Sequence, residues 1–228
     1  MQVEIWSDVV CPWCFIGKRR FEDALSRFPH ADDVTVVWRS FELDPNAPFS
    51  HGVDNAARLA SKYGVSREQA EGMLERMTRV ADDEGLAFRL DIARSGRTFD
   101  AHRLLHLAAE HGLQDALKEA LLSAYQEKGE HIADPDVLTK VAIDVGLDED
   151  VVRDVLTTDR YADDVRRDES EAHEIGVQGV PFFVFDRKYA VSGAQASDVL
   201  LDVLERAWTD RQPVQIVAGD SCDIDGNC

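Results

Sequence analysis

The apolar positions of the chain change period twice along its length. Val3 to Trp6 is a short apolar run ended by Ser7-Asp8 and reads as a strand. Phe15, Ile16, Phe21, Ala24, Leu25 and Phe28 then recur at helical spacing as far as Pro29, which predicts an amphipathic helix over about 15–28. Val34 to Trp38 is a second strand, reaching about Phe41 and stopped by Asp44-Pro45. The chain therefore opens β-α-β.

From about Asp54 to Ile175 the pattern is almost wholly helical. Ser66-Arg-Glu-Gln69 matches a capping box ahead of a helix running to Asp83. A further helix starts at Thr98 or Asp100 and ends near His111-Gly112. Others span about 115–127, 135–145, 148–156 and 161–175, with breaks at Gly129, Asp134-Pro135 and Gly146. Strand character returns at Phe182–Phe185 and Tyr189–Val191, joined as a hairpin by Asp186-Arg-Lys188, and a last helix covers about 196–208.

The order β-α-β, helical insert, β-β-α predicts an α/β chain with a thioredoxin-like fold and an inserted all-helical domain. The expected boundaries are 1–50 and 176–210 for the thioredoxin-like part, 51–175 for the insert, and 211–228 for a polar tail.

Composition narrows the function. Among 228 residues the net charge is −19, and so acidic a surface repels phosphate backbones and anionic lipid. Neither nucleic acid nor a membrane is an expected partner. The opening residues lack a basic segment followed by an apolar stretch, and no run approaches the roughly 20 apolar residues of a membrane span. A cytoplasmic location is expected. Four cysteines in such a chain point to redox catalysis or metal binding, not a disulfide scaffold.

Cys11-Pro-Trp-Cys14 lies between the first strand and the first helix. Thiol–disulfide exchange needs a thiolate, and a helix N-terminus favours one through its unpaired N–H groups and dipole. Pro12 suits the first helical turn, where its missing N–H has no partner to lose. Cys11 is expected to attack and Cys14, one turn on, to resolve. A zinc half-site would need two more ligands at suitable spacing. His102 and His106 lie four apart on one helix, a spacing as well explained by packing, and no metal is expected. Pro181 stands directly before an apolar strand; a cis Val180–Pro181 bond would leave the Val180 backbone free to pair with an extended peptide.

The stretch Ser7-Asp-Val-Val-Cys-Pro-Trp-Cys-Phe-Ile-Gly17 resembles the opening of the DsbA superfamily, in particular its FrnE-like branch. Trp38–Pro45, Phe99–Arg103, Gly179–Phe185 and Ala190–Gln195 resemble the same branch, so the likeness spans about residues 3–208. It implies a thioredoxin fold with a helical insertion, disulfide oxidoreductase or isomerase activity, and a cis Pro181. It also implies that Pro12, Trp13, Val180 and Pro181 meet substrate. Phe41, Phe99 and His102 are expected along a groove between the two parts, with His102 a candidate for substrate contact or proton transfer. Protein thiols or a cellular thiol reductant are the expected partners. No cofactor is expected, glutathione being the candidate co-substrate.

Kappa-class glutathione transferases and 2-hydroxychromene-2-carboxylate isomerases share the superfamily but generally carry serine where Cys11 stands. Two rival functions follow: a glutathione-dependent isomerase or transferase acting on a small aromatic compound, and a redox-sensing, chaperone-like binder. The tail adds Cys222 and Cys228, a candidate secondary redox pair whose thiolates Asp220, Asp223 and Asp225 disfavour. The same stretch fails as a calcium loop, because the chain stops before the bidentate Glu.

Overall fold

The computed structural model describes residues 1–50 and 54–211. A four-stranded sheet is built from β1 (Gln2–Ser7), β2 (Thr35–Ser40), β3 (Phe182–Phe185) and β4 (Tyr189–Ser192) in the order β2-β1-β3-β4. β1 runs parallel to β2, with Gln2 opposite Thr35 and Ser7 opposite Ser40. It runs antiparallel to β3, with Val3 opposite Phe185 and Trp6 opposite Phe182. As an inner strand, β1 is buried on both faces from Val3 to Ser7, Glu4 included.

Its side chains divide between two layers. Val3 and Ile5 pack with Phe21 and Ala24 of α1 (Pro12–Arg27), with Phe28 at its C-cap, and with Leu200 and Leu204 of α9 (Ser197–Thr209). Trp6 points the other way, onto Ala172 of α8 (Ala162–Glu174), and its indole Nε1 donates to Asp168 O at 2.9 Å. Each large side chain so buried contributes roughly 1.5–3 kcal/mol.

Between β2 and β3 lie α2 (Asn55–Tyr63), α3 (Arg67–Asp83), α4 (Phe99–Glu110), α5 (Gln114–Gln126), α6 (Pro135–Asp144) and α7 (Glu149–Thr157), followed by α8. Leu104, Leu107, Leu117, Leu121, Leu138 and Val152 form the core of this layer. The capping box at Ser66 and Gln69 is present with both hydrogen bonds made.

The first helix begins at Pro12 with Cys11 as its N-cap, the place that Pro12 predicts. Between the helix that ends at Asp83 and the one that begins at Phe99, residues 86–98 form an irregular strap. Backbone partners from elsewhere hold the strap in place. Asn55 Nδ2 donates to Leu90 O and Ala93 O, both at 2.8 Å, and Arg89 N–H donates to Gln126 O at 2.7 Å.

Candidate active site

The turn from β1 to α1 places Cys11 at the helix N-cap and Cys14 within the first turn. Pro12 occupies the first helical position, as its fixed φ favours. Cys11 is 5% exposed and Cys14 fully buried, and both are free thiols. The loop before β3 closes against this turn. The Val180–Pro181 bond is cis, the isomer the resemblance implies, and Cys11 Sγ lies 3.5 Å from Val180 O. Gly17 makes the approach possible: a Cβ there would stand 2.8 Å from Pro181 Cγ.

From the helical layer α5 grips the same turn. Gln126 Nε2 donates to Cys11 O at 3.2 Å, and Lys118 Nζ donates to Ser7 O at 3.1 Å. Sequence reasoning missed both residues. One signal was available for Lys118, which shares a helix face with Leu122 and Tyr125, two buried side chains four and seven positions on.

Charge inside this turn departs from the simple expectation of a thiolate on Cys11. The Cys11 S–H has two acceptors in reach, the Cys14 sulfur and Val180 O. The bond to Cys14, together with burial, pushes the Cys11 thiol well above its ordinary range. Burial opposes a charge on Cys14 as well. Yet the hydrogen bond from Cys11, the Lys118 ammonium and the Ser7 hydroxyl hold Cys14 below the usual thiol value. The two thiols lie in one hydrogen bond, so the pair rather than either residue titrates. Of the two, only Cys11 lines the adjoining cavity.

Asp8 lies under the same turn, 1% exposed. Burial raises its pKa, but His102 Nε2 at 3.4 Å and the Leu43 N–H at 2.8 Å outweigh that and hold it below the ordinary carboxylate range. Burial pushes Lys118 down to about 8, against the pull of Cys14, Asp8 and Cys11.

The cavity beside Cys11 has a volume of about 720 Å³. Pro12, Trp13 and Val180 line it with Cys11, as do Leu59, Leu74 and Met77. Trp13 is 41% exposed at its edge. Gly96 of the strap lets the wall close: a Cβ there would fall 2.1 Å from Phe49 O.

Phe41, Phe99 and His102 do not line this cavity. Phe41 turns toward Val177 and the His173 ring, beside α8. The Arg166 guanidinium covers Phe99 at 4.4 Å. His102, fully buried, sits behind Asp8. Pro181 is buried behind Val180. Cys222 and Cys228 lie outside the described residues. Among the described residues no cluster of three or more His, Cys, Asp or Glu could hold a metal ion, and no helix is long and apolar enough to cross a membrane.

Comparison with known proteins agrees with this geometry. The protein YwbO of Bacillus subtilis (strain 168) is 29% identical over 215 residues, covering 93% of this chain and 98% of its own. The crystal structure of a probable DsbA oxidoreductase from Streptomyces coelicolor superposes with a TM-score of 0.90 at 46% identity, over 100% of this chain and 98% of that one. The cytosolic disulfide reductase DsbM from Pseudomonas aeruginosa, solved with GSH, shares the fold at a TM-score of 0.65 and 16% identity, over 92% of this chain and 100% of that one. The DSBA-like thioredoxin domain model matches residues 2–205. With a Cys-Pro-Trp-Cys turn at a helix N-terminus, faced by a cis-proline loop and set in a thioredoxin sheet with a helical insertion, the chain belongs to the DSBA-like thioredoxin domain family.

Proposed function

We propose that the protein exchanges disulfides with protein thiols through Cys11 and Cys14, in the cytoplasm and without a cofactor. The carrying observation is that Cys11, at the N-cap of α1, is the sulfur that reaches the cavity while Cys14 waits behind it, fully buried. The Cys11 thiolate attacks a substrate sulfur, and Cys14 then attacks Cys11 and releases the substrate thiol. Trp13, exposed beside Cys11, offers an apolar platform for the incoming chain, and the Val180 backbone next to it offers hydrogen-bonding groups.

The test is reduction of insulin by wild type and Cys11→Ser. Catalysis by wild type that falls to the uncatalysed rate in the variant is the expected result. Equal activity of the two, or inertness of both, would sink the reading.

One observation favours a small anionic thiol such as glutathione as co-substrate. Arg58 and Lys62 line the cavity, and neither has a carboxylate within ion-pair distance among the described residues. Arg58 Nε is buried without a hydrogen-bond partner. Turnover with glutathione that survives Cys14→Ser would favour this second reading.

A further inference from the structure

Lys118 is an anomaly. Its side chain is fully buried and comes from the helical layer. It donates one hydrogen bond, to Ser7 O at 3.1 Å, and lies 5.5 Å from the centre of the Trp38 ring. No carboxylate among the described residues lies within ion-pair distance of it, although the chain carries 44 acidic residues. A buried ammonium without an anion costs several kcal/mol, so such a group is either neutral or waits for a negative charge. The charged and titratable groups that act on it are Cys14, Asp8 and Cys11 from the β1–α1 turn and Lys18 from α1. Asp8 is already engaged by His102 and the Leu43 N–H. Of the remaining groups, Cys14 packs in one buried cluster with Leu122, a turn further along α5 from Lys118, and it becomes negative only when its sulfur is free.

We propose that Lys118 is a positioning residue for the resolving step, a buried cation that α5 sets beneath the active-site turn to stabilise the thiolate of Cys14. The proposal rests on the reading of Cys11 and Cys14 as the exchanging pair. In that reaction the Cys11 thiolate breaks a substrate S–S bond, forms a mixed disulfide with one substrate sulfur and releases the other as a thiolate. Cys14 then gives up its proton and attacks Cys11 Sγ. The mixed S–S bond breaks, the Cys11–Cys14 bond forms, and the departing substrate thiolate takes the proton. The two cysteines lose two electrons and the substrate disulfide gains them.

Cys14 must ionise while wholly buried, which the low-dielectric surroundings oppose. Lys118 is the local charge of the right sign. Its own ionisation, moved by burial to about 8, lies where a proton can be held or released at neutral pH. Once the Cys11–Cys14 disulfide has formed, the ammonium loses its anion. Lys118 therefore favours the dithiol over the disulfide form and makes the couple more oxidising.

The experiment is a thiolate titration by absorbance near 240 nm. The background is Cys11→Ser with Cys222 and Cys228 also replaced by serine, so that Cys14 alone responds. Lys118→Met removes the charge at nearly constant length, Lys118→Gln serves as the neutral comparison should the methionine variant fail to fold, and Lys118→Arg retains the charge. Either neutral variant is expected to weaken Cys14 acidity at least tenfold, with arginine within threefold of the parent. A neutral variant that folds and leaves the midpoint unmoved overturns the proposal, as does an arginine variant shifted as far as the neutral one. With both motif cysteines intact, Lys118→Met should also shift the equilibrium with glutathione about tenfold toward the disulfide, equivalent to about 30 mV. An unchanged constant overturns the proposal too. Since the titration involves no substrate, its failure is separable from failure of the exchange reading, which the insulin assay tests.

Discussion

At Gly17 a single missing methyl sets how closely α1 approaches the loop before β3. An added Cβ would stand 2.8 Å from Pro181 Cγ and 3.5 Å from both Ala194 Cβ and Phe183 Cζ. A proline ring cannot swing aside as a long side chain can, so the backbone of the loop must give. Gly17→Ala is therefore expected to cost about 1–3 kcal/mol, measured by urea unfolding. It should also slow insulin reduction, because Pro181 carries Val180, whose carbonyl faces Cys11 Sγ at 3.5 Å. A variant with unchanged midpoint and unchanged rate would show that the loop yields freely. The cysteines, Pro12 and Pro181 were legible at this scale because their signal is local: a spacing of three, a proline at a helix start, a proline before an apolar run. Gln126 and Asp8 were not legible as site residues, and Lys118 only as a position on a buried helix face, because each matters through partners that the chain order does not reveal.

Among the elements, α8 joins the two layers of the molecule. Its Asp168 is fully buried; the carboxylate accepts from Ser40 N–H at 2.9 Å and Arg39 Nη1 at 3.0 Å, and meets His106 Nε2 at 3.2 Å. Its main-chain carbonyl accepts from Trp6. Burial opposes the Asp168 charge, but His106, the Ser40 N–H and Arg39 together hold the carboxyl below its ordinary 3.8. A carboxylate depressed in the folded state contributes stability that is present above its unfolded pKa and lost as pH falls through the folded value. Asp168→Ala should cost about 3–5 kcal/mol at neutral pH, since it leaves buried donors unpaired. The denaturant midpoint checks this, and the variant should lose less than wild type between neutral pH and pH 3. A loss below 1 kcal/mol would mean that packing alone docks α8. The helix itself was visible in the sequence as an amphipathic stretch ending near Ile175. Its position on the sheet was not, because periodicity says which face is buried and not against what.

For the molecule as a whole, the −19 charge makes titration a lever on stability. Glu42 is the clearest case. It follows β2 in the loop beside the cavity, with its side chain only 1% exposed. Burial raises its pKa from the ordinary 4.5 to about 7, with Glu169 adding to the rise and Arg166, whose Nη1 donates to it at 2.8 Å, opposing it. Because the folded value lies above the unfolded one, the contribution is complete below about 4.5 and disappears as pH climbs through about 7. Glu42→Gln should therefore gain stability relative to wild type at pH 8 and little at pH 4.5, as read from unfolding free energies at the two values. An identical difference at both values would remove Glu42 as the titrating group.

The sequence by itself determined the order of elements and the presence of two chemically meaningful points, the Cys-Pro-Trp-Cys turn and the proline before β3. Apolar period, turn residues and cysteine spacing are properties of neighbouring residues, and they survive being read in one dimension. The tertiary structure decided what surrounds the sulfurs. Lys118 meets Ser7 from 111 positions away, Gln126 meets Cys11 from 115, and His102 meets Asp8 from 94. It also decided the shape of the cavity, whose wall comes partly from the irregular strap at residues 86–98, where no period exists to read. It left Phe41, Phe99 and His102 outside that cavity. The local motif thus names the chemistry, while burial and charge imported from distant helices set how that chemistry is tuned, because desolvation and Coulomb fields depend on proximity in space and not along the chain.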